Sequence, residues 1–198
     1  MDIAILTFDG FNELDSFIAL GILSRMQDSG WNVQIACPSQ SVISKNGVII
    51  QAQQPLEFAN SADVVLFGIS SQTRHILQNS NMLSRLILNT EKQLIGGQCS
   101  GVLLMYALGL LNQVPVCTDL ATKPWARESG IKVLDQPFYV AGNIATTSGC
   151  LSSTYLAAWV ISKLAGKPQA ESAIHYVAPV GEEENAVKHC LSVVSAYL

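Results

Sequence analysis

Four short apolar runs constrain this chain most: Ile3–Thr7, Val33–Cys37, Asp63–Gly68 and Leu94–Gly97. They carry few polar residues and do not alternate cleanly, as a strand with one face in water would. Strands of this kind are buried on both faces, and a sheet covered on both sides is characteristically parallel, with helices above and below it. The segments between the runs agree. Glu13–Ser29 reads as an amphipathic helix ended by Gly30, Gln72–Asn89 as a second helix, and Val102–Leu111 as a third that follows the last run almost directly. The order is βαβ, and the fold class expected is α/β, a three-layer α/β/α sandwich around a mostly parallel central sheet.

Further along, "VISKNGVII" places Asn46-Gly47 between two β-branched runs, which predicts a tight hairpin appended to that sheet. Ile131–Leu134 and Phe138–Thr147, the latter broken at Gly142-Asn143, read as additional strands. Ser152–Leu164 reads as a helix, and a last helix sets Ala186, Val187, Cys190, Leu191, Val194 and Leu198 near one face. With 198 residues, 49% of them hydrophobic and 13% charged, and with no repeat or linker, the chain is expected to form one domain over residues 1–198.

Charge narrows the partners. The formal net charge is −4, and Lys45, Arg74, Lys92, Lys123 and Lys163 are scattered rather than gathered into a stripe that could follow a phosphate backbone, so no nucleic-acid partner is expected. The opening "MDIAILTF" has neither the basic start of a signal peptide nor the length of a membrane span, which predicts a cytoplasmic protein with no membrane partner. Five cysteines without a C-x-x-C pair read as reduced thiols. Three histidines, none at metal-ligand spacing, leave no reason to expect a metal or other cofactor.

One short stretch carries chemistry. "GGQCSG" joins the Leu94–Gly97 strand to the Val102–Leu111 helix, with Gly97 two residues before Cys99 and Gly101 two after it. A G-x-nucleophile-x-G turn needs small neighbours so that its central side chain can project at the crest, and the free N–H groups of a helix start favour a thiolate there. Cys99 is therefore expected to be the most reactive thiol, against the alternative that it is simply a small buried apolar residue. Cys37, Cys117, Cys150 and Cys190 lack the elbow's pair of glycines and read as structural.

Asp15 lies on the first turn of the Glu13–Ser29 helix, which is entered from the carboxyl end of the first strand, where ligand sites of open parallel sheets gather. Glu13, two residues before it, reads as a complement to the helix dipole. His75 reads as a solvated residue near a helix start. Trp125 and Phe11 read as packing residues, with pocket lining as the alternative, and His175 and His189 receive no role.

The segments "ILTFDGFNELD", "VVLFG", "GGQCSG", "ATKPWA" and "TTSGCLSSTYLAAWVI" follow one another in the order and spacing of the ThiJ/PfpI superfamily, which the chain resembles over most of its length. Within it, the "G-F-x-x-L-D" opening and the C-S-G elbow are most similar to the isocyanide-hydratase-like branch and to the amidotransferase-like module of certain transcription regulators. The resemblance implies a flavodoxin-like, class I glutamine amidotransferase-like sandwich and a homodimer. It makes Cys99 the nucleophile, Asp15 its acidic partner, and the backbone amides of Ile69 and Ser100 the anion-stabilising donors, beside the elbow glycines Gly97 and Gly101. Ile69 stands where the family usually has a second glycine, and Pro124 where many relatives have a histidine, so no cysteine–histidine relay is implied.

The activity implied is that of a cofactor-independent, cysteine-dependent hydratase or hydrolase on a small-molecule electrophile. The alternatives are a glyoxalase- or deglycase-like reaction, and a non-enzymatic redox-sensing or ligand-binding module.

Overall fold

Successive residues of an extended strand point to opposite sides, and the two cores of the molecule follow from that alternation. In the computed structural model, which describes residues 1–198, Ile3 and Ile5 of the first strand enter one core while Ala4 and Leu6 enter the other. In chain order the strands are β1 (Asp2–Leu6), β2 (Asn32–Cys37), β3 (Ser41–Ile43), β4 (Ile49–Gln51), β5 (Gln54–Pro55), β6 (Val64–Phe67), β7 (Leu94–Gln98), β8 (Phe138–Ala141) and β9 (Ile144–Thr147). Seven of them form the central sheet in the order β5-β2-β1-β6-β7-β9-β8. Every neighbouring pair is parallel except β8 with β9, which are joined by the turn at Gly142-Asn143.

The helices are α1 (Glu13–Leu23), α2 (Thr73–Leu77), α3 (Ser80–Leu83), α4 (Gly101–Ala107), α5 (Lys123–Glu128), α6 (Ser153–Ala165), α7 (Lys167–Val177) and α8 (Glu183–Val194). One core packs α1, α6, α7 and α8 on the sheet, with Trp159 of α6 fully buried in it. The other packs α2, α4 and α5 on the opposite face through Ile76, Val102, Leu103, Met105 and Ala126. The result is the three-layer, flavodoxin-like α/β/α arrangement. No helix is long and apolar enough to cross a membrane.

Several local expectations are corrected. The first helix is α-helical only to Leu23 and tightens into a 3₁₀ stretch over Ser24–Ser29 before Gly30. Gln72–Asn89 is not one helix, because the side chain of Asn79 accepts the N–H of Met82 and so caps a new, short helix. Ile131–Leu134 adds no strand to the sheet and makes a single parallel bridge, Val116 with Val133. The hairpin around Asn46-Gly47 forms, but β3 and β4 make a separate two-stranded sheet. Helix α7 went unread in the sequence, since Gly166 and Pro168 interrupt the apolar period at its start.

Candidate functional site

Strand β7 is buried along its whole length, and at its end the chain turns sharply into α4. The turn is made at Cys99, whose φ of 48° lies in the left-handed region that non-glycine residues avoid. Such a conformation costs on the order of 1–3 kcal/mol and persists only where the surroundings hold it. Here the N–H of Cys99 donates to the carbonyl of Thr147 at 3.1 Å. Its carbonyl accepts the hydroxyl of Thr118 at 2.8 Å.

The elbow glycines are required by close approach, since neither has a positive φ. A Cβ on Gly101 would lie 2.6 Å from the carbonyl oxygen of Phe67 at the end of β6, and one on Gly97 would collide with the sulfur of Met105.

The acidic partner arrives from β1. Asn12 caps α1, its side-chain oxygen accepting the N–H of Leu14 at 3.1 Å. That start angle turns Asp15 fully inward and Glu13 outward. Glu13 does more than complement a dipole: its carboxylate accepts the hydroxyl of Ser44 at 2.5 Å and the amide of Asn46 at 2.8 Å, tying the hairpin to α1.

Asp15 instead meets two sulfurs. Its carboxylate and the thiols of Cys99 and Cys150 lie within 4.8 Å of one another. Asn12 donates its side-chain N–H to the sulfur of Cys150 at 3.1 Å. The same carboxylate and two thiols are the donor set a metal ion would use here, and each thiol would have to lose its proton to serve.

The electrostatics follow from burial. Neither carboxylate oxygen of Asp15 has a partner in hydrogen-bonding geometry. Burial therefore pushes this carboxyl up to about 6, and the neighbouring thiols of Cys150 and Cys99 only partly oppose the shift. The expectation of a thiolate at Cys99 is corrected. Burial, with the charges of Asp15 and Asp119 added to it, raises this thiol well above the ordinary range, and the N–H of Gly149 directed at the sulfur offsets only part of that. Both shifts favour the uncharged forms, so the thiol is the favoured form of Cys99 at rest, with the carboxyl of Asp15 as the acceptor beside it.

The two proposed anion donors lie at the same edge of the sheet, Ile69 beyond β6 and Ser100 beyond β7, whose ends pair at Phe67 and Gly97. The backbone N–H groups of Ile69 and Ser100 carry no intramolecular hydrogen bond. The hydroxyl of Ser100 is engaged elsewhere, 2.8 Å from that of Thr73. A cleft of about 660 Å³, lined by Thr118, Asp119, Gln136, Ser148 and Gly149 among others, abuts this corner.

Two nearby residues had no place in the site as read from sequence: Cys150, there taken as structural and here corrected, and Asp119, which was passed over. Cys150 stands just past β9, the strand beside β7, and Gly149 before it has a φ of 82°. That glycine and the position after a strand end were the available signal. Asp119 caps the turn before α5 with one carboxylate oxygen, while the other is buried without a partner. Among the other candidates, His75 is exposed, Phe11 is fully buried as a packing residue, and half-buried Trp125 lies 3.9 Å below the guanidinium of Arg74.

Solved structures share this architecture. A DJ-1 from Schizosaccharomyces pombe superposes with a TM-score of 0.75 at 16% identity, covering 90% of this chain and 100% of that one. A ThiJ/PfpI family protein from Pseudomonas syringae gives 0.75 at 17%, covering 98% and 87%. An AraC family transcriptional regulator from Pseudomonas putida gives 0.75 at 12%, covering 89% and 99%. At such identities the likeness establishes the fold alone. No curated protein matches the chain by sequence search. The family model for DJ-1/PfpI matches residues 1–163, a span that includes β1, Asp15, the β7–α4 elbow and Cys150, and on that match the chain belongs to the DJ-1/PfpI family.

Proposed function

We propose that the chain is a cofactor-independent, cysteine-dependent hydratase of the isocyanide-hydratase kind, with Cys99 as nucleophile and Asp15 as the group that moves the proton. The observation that carries this reading is a fully buried carboxyl without a hydrogen-bond partner, set beside the sulfur of a left-handed elbow cysteine. A carboxyl near 6 facing a thiol of raised pKa forms a pair with one transferable proton, which suits it to act first as base and then as acid.

In this mechanism Asp15 takes the thiol proton as the sulfur of Cys99 attacks the terminal carbon of the isocyanide. Asp15 then returns that proton to the same carbon, leaving a thioimidate. Water adds to the thioimidate carbon, the C–S bond breaks, and an N-substituted formamide leaves with Cys99 restored as a thiol. The free N–H groups of Ile69 and Ser100 are assigned to the negative charge that develops during addition. The near-complete burial of Cys99 favours a slender substrate whose reacting carbon is terminal.

A homodimer and a cytoplasmic location belong to the same proposal. The former is supported by the exposed apolar side chains Leu14 and Phe17 on α1, Ile43 and Ile49 on the hairpin, and Leu151 beside Cys150. The test is incubation of wild type and Cys99→Ala with a panel of isocyanides and 2-oxoaldehydes, following formamide and hydroxy acid. Formamide from wild type only is expected. Hydroxy acid alone would move the assignment to glyoxalase- or deglycase-like chemistry, and no product from either class would remove the enzymatic reading.

A further inference from the structure

The mechanism above leaves one thiol of the cluster unused. Cys150 is the only cysteine of the five that is not buried, and its sulfur lies within 4.8 Å of that of Cys99. We propose that Cys99 and Cys150 are a modification site for peroxides, which convert the pair to a reversible disulfide and thereby withdraw the nucleophile.

The geometry assigns the order of events. Cys99 is held by its backbone bonds to Thr147 and Thr118 and is 1% exposed, so an oxidant entering from solvent meets Cys150 first. The side-chain N–H of Asn12, 3.1 Å from the sulfur of Cys150, favours its thiolate and then its sulfenic oxygen. Burial pushes the thiol of Cys150 up to about 11, a smaller rise than that of the more deeply buried Cys99.

The chemistry balances with the peroxide as the sole oxidant. The thiolate of Cys150 attacks one peroxide oxygen, the O–O bond breaks, and an alcohol or water leaves, giving a sulfenic acid at Cys150. Cys99 gives its proton to Asp15 and attacks the sulfenic sulfur; the S–S bond forms, the S–O bond breaks, and the departing hydroxide takes the proton from Asp15 as water. Two electrons pass from the sulfur pair to the peroxide.

To close to a bond of about 2 Å, the sulfurs must approach by at most roughly 3 Å. Cys150 can supply that movement: it starts a 3₁₀ turn over Cys150–Ser152, and the preceding Gly149 is exposed, with open space around its Cα.

The inference rests on the reading of Cys99 as the site's thiol, and its readout is independent of any substrate. Reduced chain is treated with a several-fold excess of hydrogen peroxide and mapped by mass spectrometry without reduction. A peptide pair linked through Cys99 and Cys150, released by dithiothreitol, is the expected result. In Cys150→Ser and Cys150→Ala the cross-link is lost and the buried Cys99 stays a thiol, whereas in Cys99→Ala the sulfenic acid at Cys150 has no partner and proceeds to the sulfinic acid. Wild-type chain that accumulates sulfinic acid on either cysteine with no cross-link would overturn the proposal, whatever the formamide assay shows.

Discussion

Cys99 and Cys190 are almost equally buried, at 1% and 2% exposure, yet their surroundings have little in common. Cys190 sits on α8 facing α6, its sulfur 3.9 Å from the carbonyl of Thr154, and burial alone pushes its thiol up to about 12. Cys99 has the same burial, a strained backbone, a buried carboxyl, a second thiol and an N–H aimed at its sulfur. Burial by itself makes a thiol inert. A thiol that is equally buried but faces a group able to accept its proton can be poised, because the proton has somewhere to go when an electrophile arrives.

Four experiments break or sharpen that comparison. The largest effect is expected from Cys99→Ala, which should lower formamide formation by about 10⁴-fold or more. Retained turnover there, or loss of turnover in Cys190→Ala, would erase the distinction between the two thiols.

The second concerns stability. The folded-state value of Asp15 is raised from 3.8 to about 6, so the folded state binds this proton more tightly than the unfolded one. The protonated carboxyl carries no penalty at low pH; stability falls as pH rises from about 3.8 through about 6 and stays reduced above that. A shift of this size corresponds to at most about 3 kcal/mol. Denaturant melts of wild type and Asp15→Asn across this window should show the variant gaining relative stability toward neutral pH, whereas a constant difference would locate the strain elsewhere.

Turnover of Asp15→Asn is the third measurement, expected to fall by about 10²-fold because the amide fills the same space without a transferable proton. The smallest effect should be that of Cys190→Ala, a loss of about 1 kcal/mol in stability with formamide formation unchanged.

Labelling adds a qualitative check. The sequence predicts Cys99 as the most reactive thiol, but its burial means that a bulky maleimide should reach Cys150 ahead of the four buried thiols, as peptide mapping would show.

How much of this was legible beforehand depends on how local each feature is. Strands β1, β2, β6 and β7, the elbow at Gly97-Gln98-Cys99-Ser100-Gly101 and the helix start at Asp15 are written in adjacent residues, where apolar runs and glycine spacing act directly. The break within Gln72–Asn89 was less visible. It depends on Asn79 closing a cap through its side chain, a bond that competes nearly evenly with continuing the helix.

By itself, then, the amino-acid order determined a sheet buried on both faces and a cysteine at a strand-to-helix crest, because periodicity and small-residue spacing are properties of neighbouring positions. Only the tertiary structure brought Cys150 and Asp119 to that crest. It also raised the thiol of Cys99 and the carboxyl of Asp15 together, through the burial they share. These features depend on the ends of β1, β7 and β9 meeting at one edge of the sheet and on how completely water is excluded there, and no spacing along the chain records either.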